Sequence, residues 1–326
     1  MKFSVIIPLF NKAPYVAKAI QSVLAQTFTD YDLVIVDDGS KDDSAAIAAR
    51  AIERQGNCCL LKQANVGPGM ARNNGVAVSQ GDFLCFLDAD DWWEPTFLEE
   101  MDRLIREFPA AGIYGTNYTI VSEAKHKTRV AKIGVEEKFE KGYVNYCQTY
   151  AKTMYMPLTS ISVAIPRNVF EEMGGFPKGI KLGEDFMLWI RVALKYKVVF
   201  LNKPLAFYNQ DVETDNRGTG RLHEPCEHML WNLTDLESEE QCNNDYKALV
   251  DALRVSALMP YYLSKKHRQA TVSELNKVDW SRQPEIIRRE YKRPIGLLKL
   301  KYFLLKIGSI VKQTLISFTN GKTNSN

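Results

Sequence analysis

The chain has 326 residues, of which 45% are hydrophobic and 25% charged, a balance that excludes an intrinsically disordered protein and supplies a sizeable core. Six cysteines (Cys58, Cys59, Cys85, Cys147, Cys226, Cys242) show no CxxC spacing, and Cys85 lies inside an apolar run, which excludes a disulfide scaffold and predicts reduced thiols. The net charge of +3 conceals an asymmetry: from Ile286 onward nine Lys or Arg stand against one acid, Glu290, a charge of +8 that leaves −5 on the remainder.

The chain starts Met1-Lys2 and runs into Val5-Ile6-Ile7-Pro8, too short an apolar stretch for a signal peptide and without a small-residue cleavage site, so a cytosolic protein is expected. Phe3 to Leu9 and Asp32 to Val36 are β-branched-rich runs of strand length, and Tyr15 to Ala25 between them has helical spacing. The pattern then predicts a helix over Ser44 to Gln55, a strand at Cys59 to Lys62, a helix over Gly69 to Ser79 and a strand at Phe83 to Leu87. Strands alternating with helices imply an α/β fold with a mostly parallel sheet, in which ligands bind beyond the carboxyl ends of the strands. After Trp92-Trp93-Glu94-Pro95, a helix over Thr96 to Glu107 leads to a strand near Ile113 to Tyr118. The polar segment Val121 to Gly142 is a variable loop or hairpin. Ser160 to Pro166 is a strand, Gly174-Gly175-Phe176-Pro177 a turn, Gly183-Glu184-Asp185 the start of a helix through Lys195, and Lys197 to Leu201 the last strand. Beyond Asp211 the pattern is helical, without internal repeats.

Asp88-Ala89-Asp90 at a strand end carries the main mechanistic signal. Neighbouring carboxylates repel unless a cation neutralises them, and Mg2+ or Mn2+ takes oxygen ligands and usually holds substrate phosphates as well. A divalent ion bridging a diphosphate stabilises the charge that grows on a departing nucleotide. The competing role is a cap on a helix beginning near Trp92. Asp37-Asp38-Gly39-Ser40, at the neighbouring strand end, could hydrogen-bond a base or ribose edge, or be a cap and turn. Ala71-Arg72-Asn73-Asn74-Gly75 follows a glycine-rich turn, where Arg72 can pair with phosphate or carboxylate or form a surface ion pair. Trp92 and Trp93 suit either sugar stacking or the core.

The ordered set Ser4-Val5-Ile6-Ile7-Pro8-Leu9-Phe10-Asn11, Ser22-Val23-Leu24-Ala25-Gln26-Thr27, Asp37 to Ser40, Ala71-Arg72-Asn73 and Leu87-Asp88-Ala89-Asp90-Asp91 resembles glycosyltransferase family 2 over residues 3 to 210. The resemblance implies a GT-A fold: a Rossmann-like nucleotide-binding half at about 1–95 and an acceptor-binding half at about 96–215, followed by a helical region at 216–326. It implies an inverting, non-processive transferase that moves one sugar from a nucleotide-sugar donor, by default a UDP-hexose, to an acceptor hydroxyl. Pro8, Phe10, Asn11 and Asp38, with Asp37, would form the nucleotide pocket, and Arg72 would lie beside it. Asp90 would be the direct Mn2+ or Mg2+ ligand, while Asp88 would touch the metal, donor sugar or ribose. Asp91 would either start the next helix or touch substrate.

In Gly183-Glu184-Asp185-Phe186-Met187-Leu188-Trp189, Asp185 corresponds to the family's catalytic base and Glu184 to its acidic neighbour. An acceptor hydroxyl is a poor nucleophile near neutral pH, so a carboxylate must take its proton as it attacks. Trp189, one helical turn on, suits a wall of the acceptor site or the core equally. The family's cationic grip on the diphosphate is replaced here by Tyr208-Asn209-Gln210-Asp211, with Arg217 as the nearest substitute. No QxxRW motif is present.

From Arg288 to Phe318, Leu297, Leu300, Leu304, Ile307, Val311 and Leu315 recur at spacings of three or four, with lysines at 299, 306 and 312, as a basic amphipathic helix. Lys306 and Lys312 leave no run of about 18 apolar residues to span a membrane. The helix is expected to lie on an anionic inner leaflet, where a lipid-linked saccharide acceptor would be found, or to pack on the catalytic domain or a second subunit; nucleic acid is not expected. The resemblance points to surface polysaccharide or glycolipid assembly. Two alternatives remain at this point: a sugar nucleotidyltransferase, for which the loop Pro8 to Pro14 lacks the glycines, and a non-catalytic sugar-binding member.

Overall fold

The computed structural model describes residues 2–212 and 222–304. They divide into two compact units, Met1–Val250 and Asp251–Asn326. The boundary expected at 215/216, like Arg217 and the tail beyond Leu304, lies outside the described residues.

The first unit opens with β1 (Phe3–Leu9), α1 (Val16–Leu24), β2 (Tyr31–Asp37), α2 (Ser44–Ile52), β3 (Cys58–Lys62), α3 (Pro68–Val78) and β4 (Phe83–Phe86). Then come β5 (Trp92–Trp93), α4 (Phe97–Glu107), β6 (Ala111–Ser122), β7 (Lys127–Val130), β8 (Lys141–Val144) and α5 (Tyr146–Thr153). A 3-10 turn at Ser160–Ser162 leads into β9 (Val163–Pro166), α6 (Arg167–Glu172), α7 (Glu184–Lys195) and β10 (Lys197–Asn209). One mixed sheet runs β3-β2-β1-β4-β9-β6-β10-β5, with β7 on β6 and β8 on β10. The strands β1, β2, β3, β4, β6 and β10 point one way. Helices cover both faces, as the alternating pattern implies.

Period-two alternation decides which helix each face receives. Phe3, Val5, Ile7 and Leu9 of β1, with Leu33 and Ile35 of β2, pack in the core that takes in α1, α2 and α4. Ile6 and Val36 point to the other face, where α3 lies. Helix α3 comes so near that a Cβ at Gly75 would stand 2.6 Å from Ile6 Cγ2 and 3.1 Å from Val36 Cγ2.

Some elements follow the expectation and some differ. No helix begins near Trp92 for Asp88 and Asp90 to cap: Trp92 and Trp93 pair with Phe207 and Ala206 of β10, and α4 runs from Phe97 to Glu107 with Thr96 as its N-cap, in line with the helix expected over Thr96 to Glu107. The indole N–H of Trp93 donates to the Ile161 carbonyl at 2.6 Å and its ring stacks on Phe97, while Trp92 lies between Phe207 and the Lys18 ammonium. Strand β10 continues past Leu201 because Pro204 sits at shifts in register against β6, where its missing N–H is tolerated. Of the loop or hairpin expected over Val121 to Gly142, β6 and β7 form the hairpin, and α5, not expected from the sequence, begins where Asn145 accepts the Gln148 N–H at 3.1 Å.

After three short 3-10 turns, α8 (Glu237–Cys242) and α9 (Asn244–Ala257) follow, and the division between the units falls within α9. The second unit holds α10 (Met259–Leu263), α11 (Arg268–Leu275) and α12 (Glu285–Tyr291). Val255, Leu275 and Val278 form its small core, and the buried Arg254 bonds Glu274 at 3.2 Å. The helix expected over Arg288 to Phe318 is broken: α12 stops at Tyr291, and helix resumes at 295 after Pro294, which cannot continue a helical ladder. No helix among the described residues is long and apolar enough to cross a membrane.

Replacing Gly75 with Ala forces the added methyl into Ile6 and Val36. The expected cost is about 1–3 kcal/mol, read as a lower urea midpoint at unchanged m-value.

Candidate active site

Strand register brings the candidate residues to one edge. Leu9 pairs with Asp37 and Ile6 with Phe86, so Phe10, Asp38 and Asp88 leave the sheet side by side. Because β9 is antiparallel to β4, the turn Ser160–Ser162 that precedes β9 returns to the same edge.

At the β1–β2 corner, Pro8 lies on β1 opposite Val36, and Phe10 is 40% exposed. Asp38 is buried, and its carboxylate accepts the Val66 and Gly67 amides at 2.8 and 2.9 Å and the Gln63 amide at 2.8 Å. It clamps the loop before α3 as well as facing the corner. Asp37, also buried, accepts the Ser40 N–H at 3.2 Å and braces the turn. Asn11 adopts a left-handed φ of 51°, its N–H donating to Ser40 Oγ at 3.1 Å and its side-chain oxygen accepting the Lys41 N–H at 2.8 Å. The two loops are thus tied into one rim.

Past β4, Asp88 and Asp90 each have a cation on one oxygen. Arg72 donates to Asp88 Oδ1 at 2.6 Å and, through its other terminal nitrogen, to Glu184 Oε1 at 3.1 Å. It joins the β4 loop to α7. The Lys12 ammonium lies 2.6 Å from Asp90 Oδ2. Asp91 neither starts a helix nor faces the crevice: it is buried, accepts the Asn209 N–H at 2.7 Å, and its Oδ2 has no partner. Burial, then the charges of Asp90 and Asp88, hold its carboxyl well above the usual range. Burial raises Asp90 too, against the pull of Lys12.

Helix α7 supplies the third part. Gly183 precedes it with φ +84°, and a Cβ there would meet Met229 Sδ at 2.5 Å, so the chain can turn Glu184 and Asp185 inward only through glycine. Burial pushes Glu184 up to about 7, with Asp185 adding to the rise and Arg72 opposing it. Asp185 is half-buried; Ser160 Oγ donates to its Oδ2 at 3.1 Å, and burial raises its pKa against the pull of Arg72. Trp189 is fully enclosed, with Phe86 and Phe176 ring centroids 6.4 and 5.9 Å away, and presents no face to the crevice. Tyr150, stacked on Phe186, and Tyr146 both feel the charge of Asp185 and are aromatic residues near that carboxylate.

Lys12, Gln63, Ser160 and Tyr150 were not among the residues singled out from the sequence. Lys12 alone carried a local signal there, as a cation three residues beyond a strand end.

Seven carboxylates (Asp37, Asp38, Asp88, Asp90, Asp91, Glu184, Asp185) gather at this edge, with Lys12 and Arg72 as cations bonded among them. A diphosphate entering such a crevice needs a further counter-cation. Among the described residues no cluster of three or more His, Cys, Asp or Glu is arranged as a ready-made metal cage. Two carboxylates, Asp88 and Asp90, suit Mg2+ or Mn2+, which complete their shells with substrate phosphates and water.

A mixed, mostly parallel α/β sheet flanked by helices, with an acidic cluster beyond its strand ends, is the layout of a GT-A glycosyltransferase. The profile of glycosyl transferase family 2 matches residues 4–168, and the chain belongs to that family. It is 31% identical to glycosyltransferase GlyA of Streptococcus pneumoniae over 214 residues, 64% of this chain and 30% of GlyA. It is 32% identical to the uncharacterized glycosyltransferase alr2836 of Nostoc over 211 residues, 64% of each chain. Less than two thirds of either relative is thus spanned. The structure of S. aureus TarS residues 1–349, solved with UDP-GlcNAc, superposes with a TM-score of 0.66 at 20% identity, over 85% of this chain and 79% of that one. The fold is shared.

Truncating Arg72 to Met leaves Glu184 and Asp88 without their buried cation. Unfolding free energy should fall by about 3 kcal/mol or more in urea titration, and Arg72→Lys should recover only part, since an ammonium lacks the fork that reaches both acids.

Proposed function

We propose that the chain transfers a single sugar from a nucleoside-diphosphate sugar to an acceptor hydroxyl with inversion at the anomeric carbon. The observation that carries this reading is the Arg72 bridge, which holds the acidic donor-side residue Asp88 and the α7 acids at one crevice. Phe10 and the Asp38 rim receive the nucleobase and ribose, with Pro8, Asn11 and Asp37 shaping the corner. Asp88 and Asp90 would hold a divalent ion, Mn2+ or Mg2+, which when bound would supply positive charge to stabilise the departing diphosphate. Asp185, oriented by Ser160, takes the acceptor proton as the hydroxyl attacks from the side opposite the nucleotide. Glu184 stays paired to Arg72 and keeps that cation in place. Trp189 acts from behind, by packing α7 against Phe86. A single base suffices, in contrast to the paired carboxylates of a glycosidase.

The fold neighbour TarS holds UDP-GlcNAc, which makes UDP-hexoses the first donors to test. A saccharide or lipid-linked saccharide is the acceptor, in surface polysaccharide or glycolipid assembly at the inner face of a membrane. Leu297, Leu300, Phe303 and Leu304, all more than half exposed among basic residues, support that peripheral contact.

UDP, GDP and dTDP, each with and without Mn2+, should be screened by thermal unfolding. One nucleotide should raise the midpoint in a metal-dependent way that Asp90→Ala abolishes; no shift with any of them contradicts the donor site and favours a non-catalytic protein. Asp185→Asn should lower kcat by about 10²- to 10⁴-fold with nucleotide binding retained.

The base works only when deprotonated, and burial raises both α7 acids, Glu184 to about 7. Burial of Asp185 therefore predicts that activity is lost, as pH falls, above the range of about 4 of an ordinary carboxylate. An acid limb near 4 would contradict the assignment.

A further inference from the structure

We propose that Lys12 is a built-in occupant of the cation position on Asp90, that a divalent ion binds by displacing it, and that the displaced ammonium is taken up by the donor diphosphate. Metal and nucleotide would then bind synergistically. This rests on the donor-site reading above.

The two cations of the acidic cluster differ in how firmly they are held. Arg72 cannot leave Asp88 without also straining its bond to Glu184, and its side chain is 5% exposed. Lys12 makes its one ion pair with Asp90, the two side chains being 13% and 17% exposed. Its backbone, by contrast, is fixed: the N–H donates to Ser44 Oγ at 2.7 Å and the carbonyl accepts the Tyr15 and Val16 amides at 2.9 and 3.0 Å. Only the side chain is free to swing, on a flexible four-carbon stem.

Charge makes the swing conditional. A divalent ion attracts Asp90 more strongly than an ammonium does, but displacing Lys12 leaves its charge largely desolvated beside the incoming metal. Without an anion to receive it, that ammonium opposes metal binding. The diphosphate is the anion that enters this crevice, and contact with it converts the repelled cation into a second grip on the leaving group. The grip stands in for the cationic residue that the Tyr208 to Asp211 segment does not supply.

By linkage, nucleotide strengthens metal binding as much as metal strengthens nucleotide binding. Free Mn2+ should be titrated by electron paramagnetic resonance against the wild type, Lys12→Met, Lys12→Gln, Lys12→Arg and Asp90→Asn, each checked for folding by thermal melting. The titrations are run alone and with saturating UDP, GDP or dTDP. Without nucleotide, Lys12→Met and Lys12→Gln should bind Mn2+ about tenfold more tightly than the wild type, Lys12→Arg should resemble the wild type, and the neutral variants' advantage should shrink when nucleotide is added. Equal Mn2+ affinity in wild type and neutral variants overturns the displacement while leaving the donor site standing, provided nucleotide still strengthens Mn2+ binding. Absence of Mn2+ binding under every condition overturns both.

Discussion

One guanidinium carries the site. Arg72 is 4% exposed, and its two terminal nitrogens bond Asp88, 16 residues away, and Glu184, 112 residues away. A charge so far from water is tolerable only while both partners stay in place, and buried carboxylates are tolerable only while they have a cation. The loop after β4 and the start of α7 are therefore held to one another electrostatically as well as by packing. Arg72 Nε has no hydrogen-bond partner, so the guanidinium is oriented by the two acids and by the Phe176 ring, whose centroid lies 5.2 Å from Cζ.

Around that bridge the chain concentrates negative charge and limits its cost by geometry. Asp38 turns its oxygens to backbone amides of the loop before α3, Asp91 fixes β10 through Asn209, and Glu184 faces Arg72. Asp90, whose cation is a flexible lysine, and Asp185, held by a serine hydroxyl, have the more exchangeable surroundings. Asp37, Asp91 and Glu184 are structural in their contacts.

Much of this was legible in the sequence. Runs such as Val34-Ile35-Val36 show buried parallel strands directly, and a ligand edge follows from topology alone, so Asp38, Asp88, Asp90 and Asp185 fall where strand ends and a helix start must meet. What stayed hidden depended on contacts between distant segments. Trp92-Trp93 resembles a helix entrance until β10 arrives to pair with it, and Asn202-Lys203-Pro204 resembles a strand end because the sequence does not display a register shift. Thr116, Asn117 and Thr119 on β6 look solvent-facing by composition, yet the strand is buried throughout; Asn117 meets this by donating to Ala131 and Asn202. Trp189 could not be assigned to wall or core until Phe86 and Phe176 enclosed it. The partners of Arg72 and Lys12 were unreadable for the same reason: a single sequence shows which residues are charged but not which charges face one another.

The central claim is that one crevice, organised by Arg72, presents a donor-binding rim and a base to the same reacting carbon. A crystal structure with Mn2+ and an intact UDP-hexose tests it most directly. The account predicts the nucleobase at the Phe10 and Asp38 corner, the diphosphate and metal at Asp88 and Asp90, and the anomeric carbon turned toward Asp185 with the Arg72 bridge intact. A donor bound elsewhere, or an anomeric carbon facing away from Asp185, would contradict it.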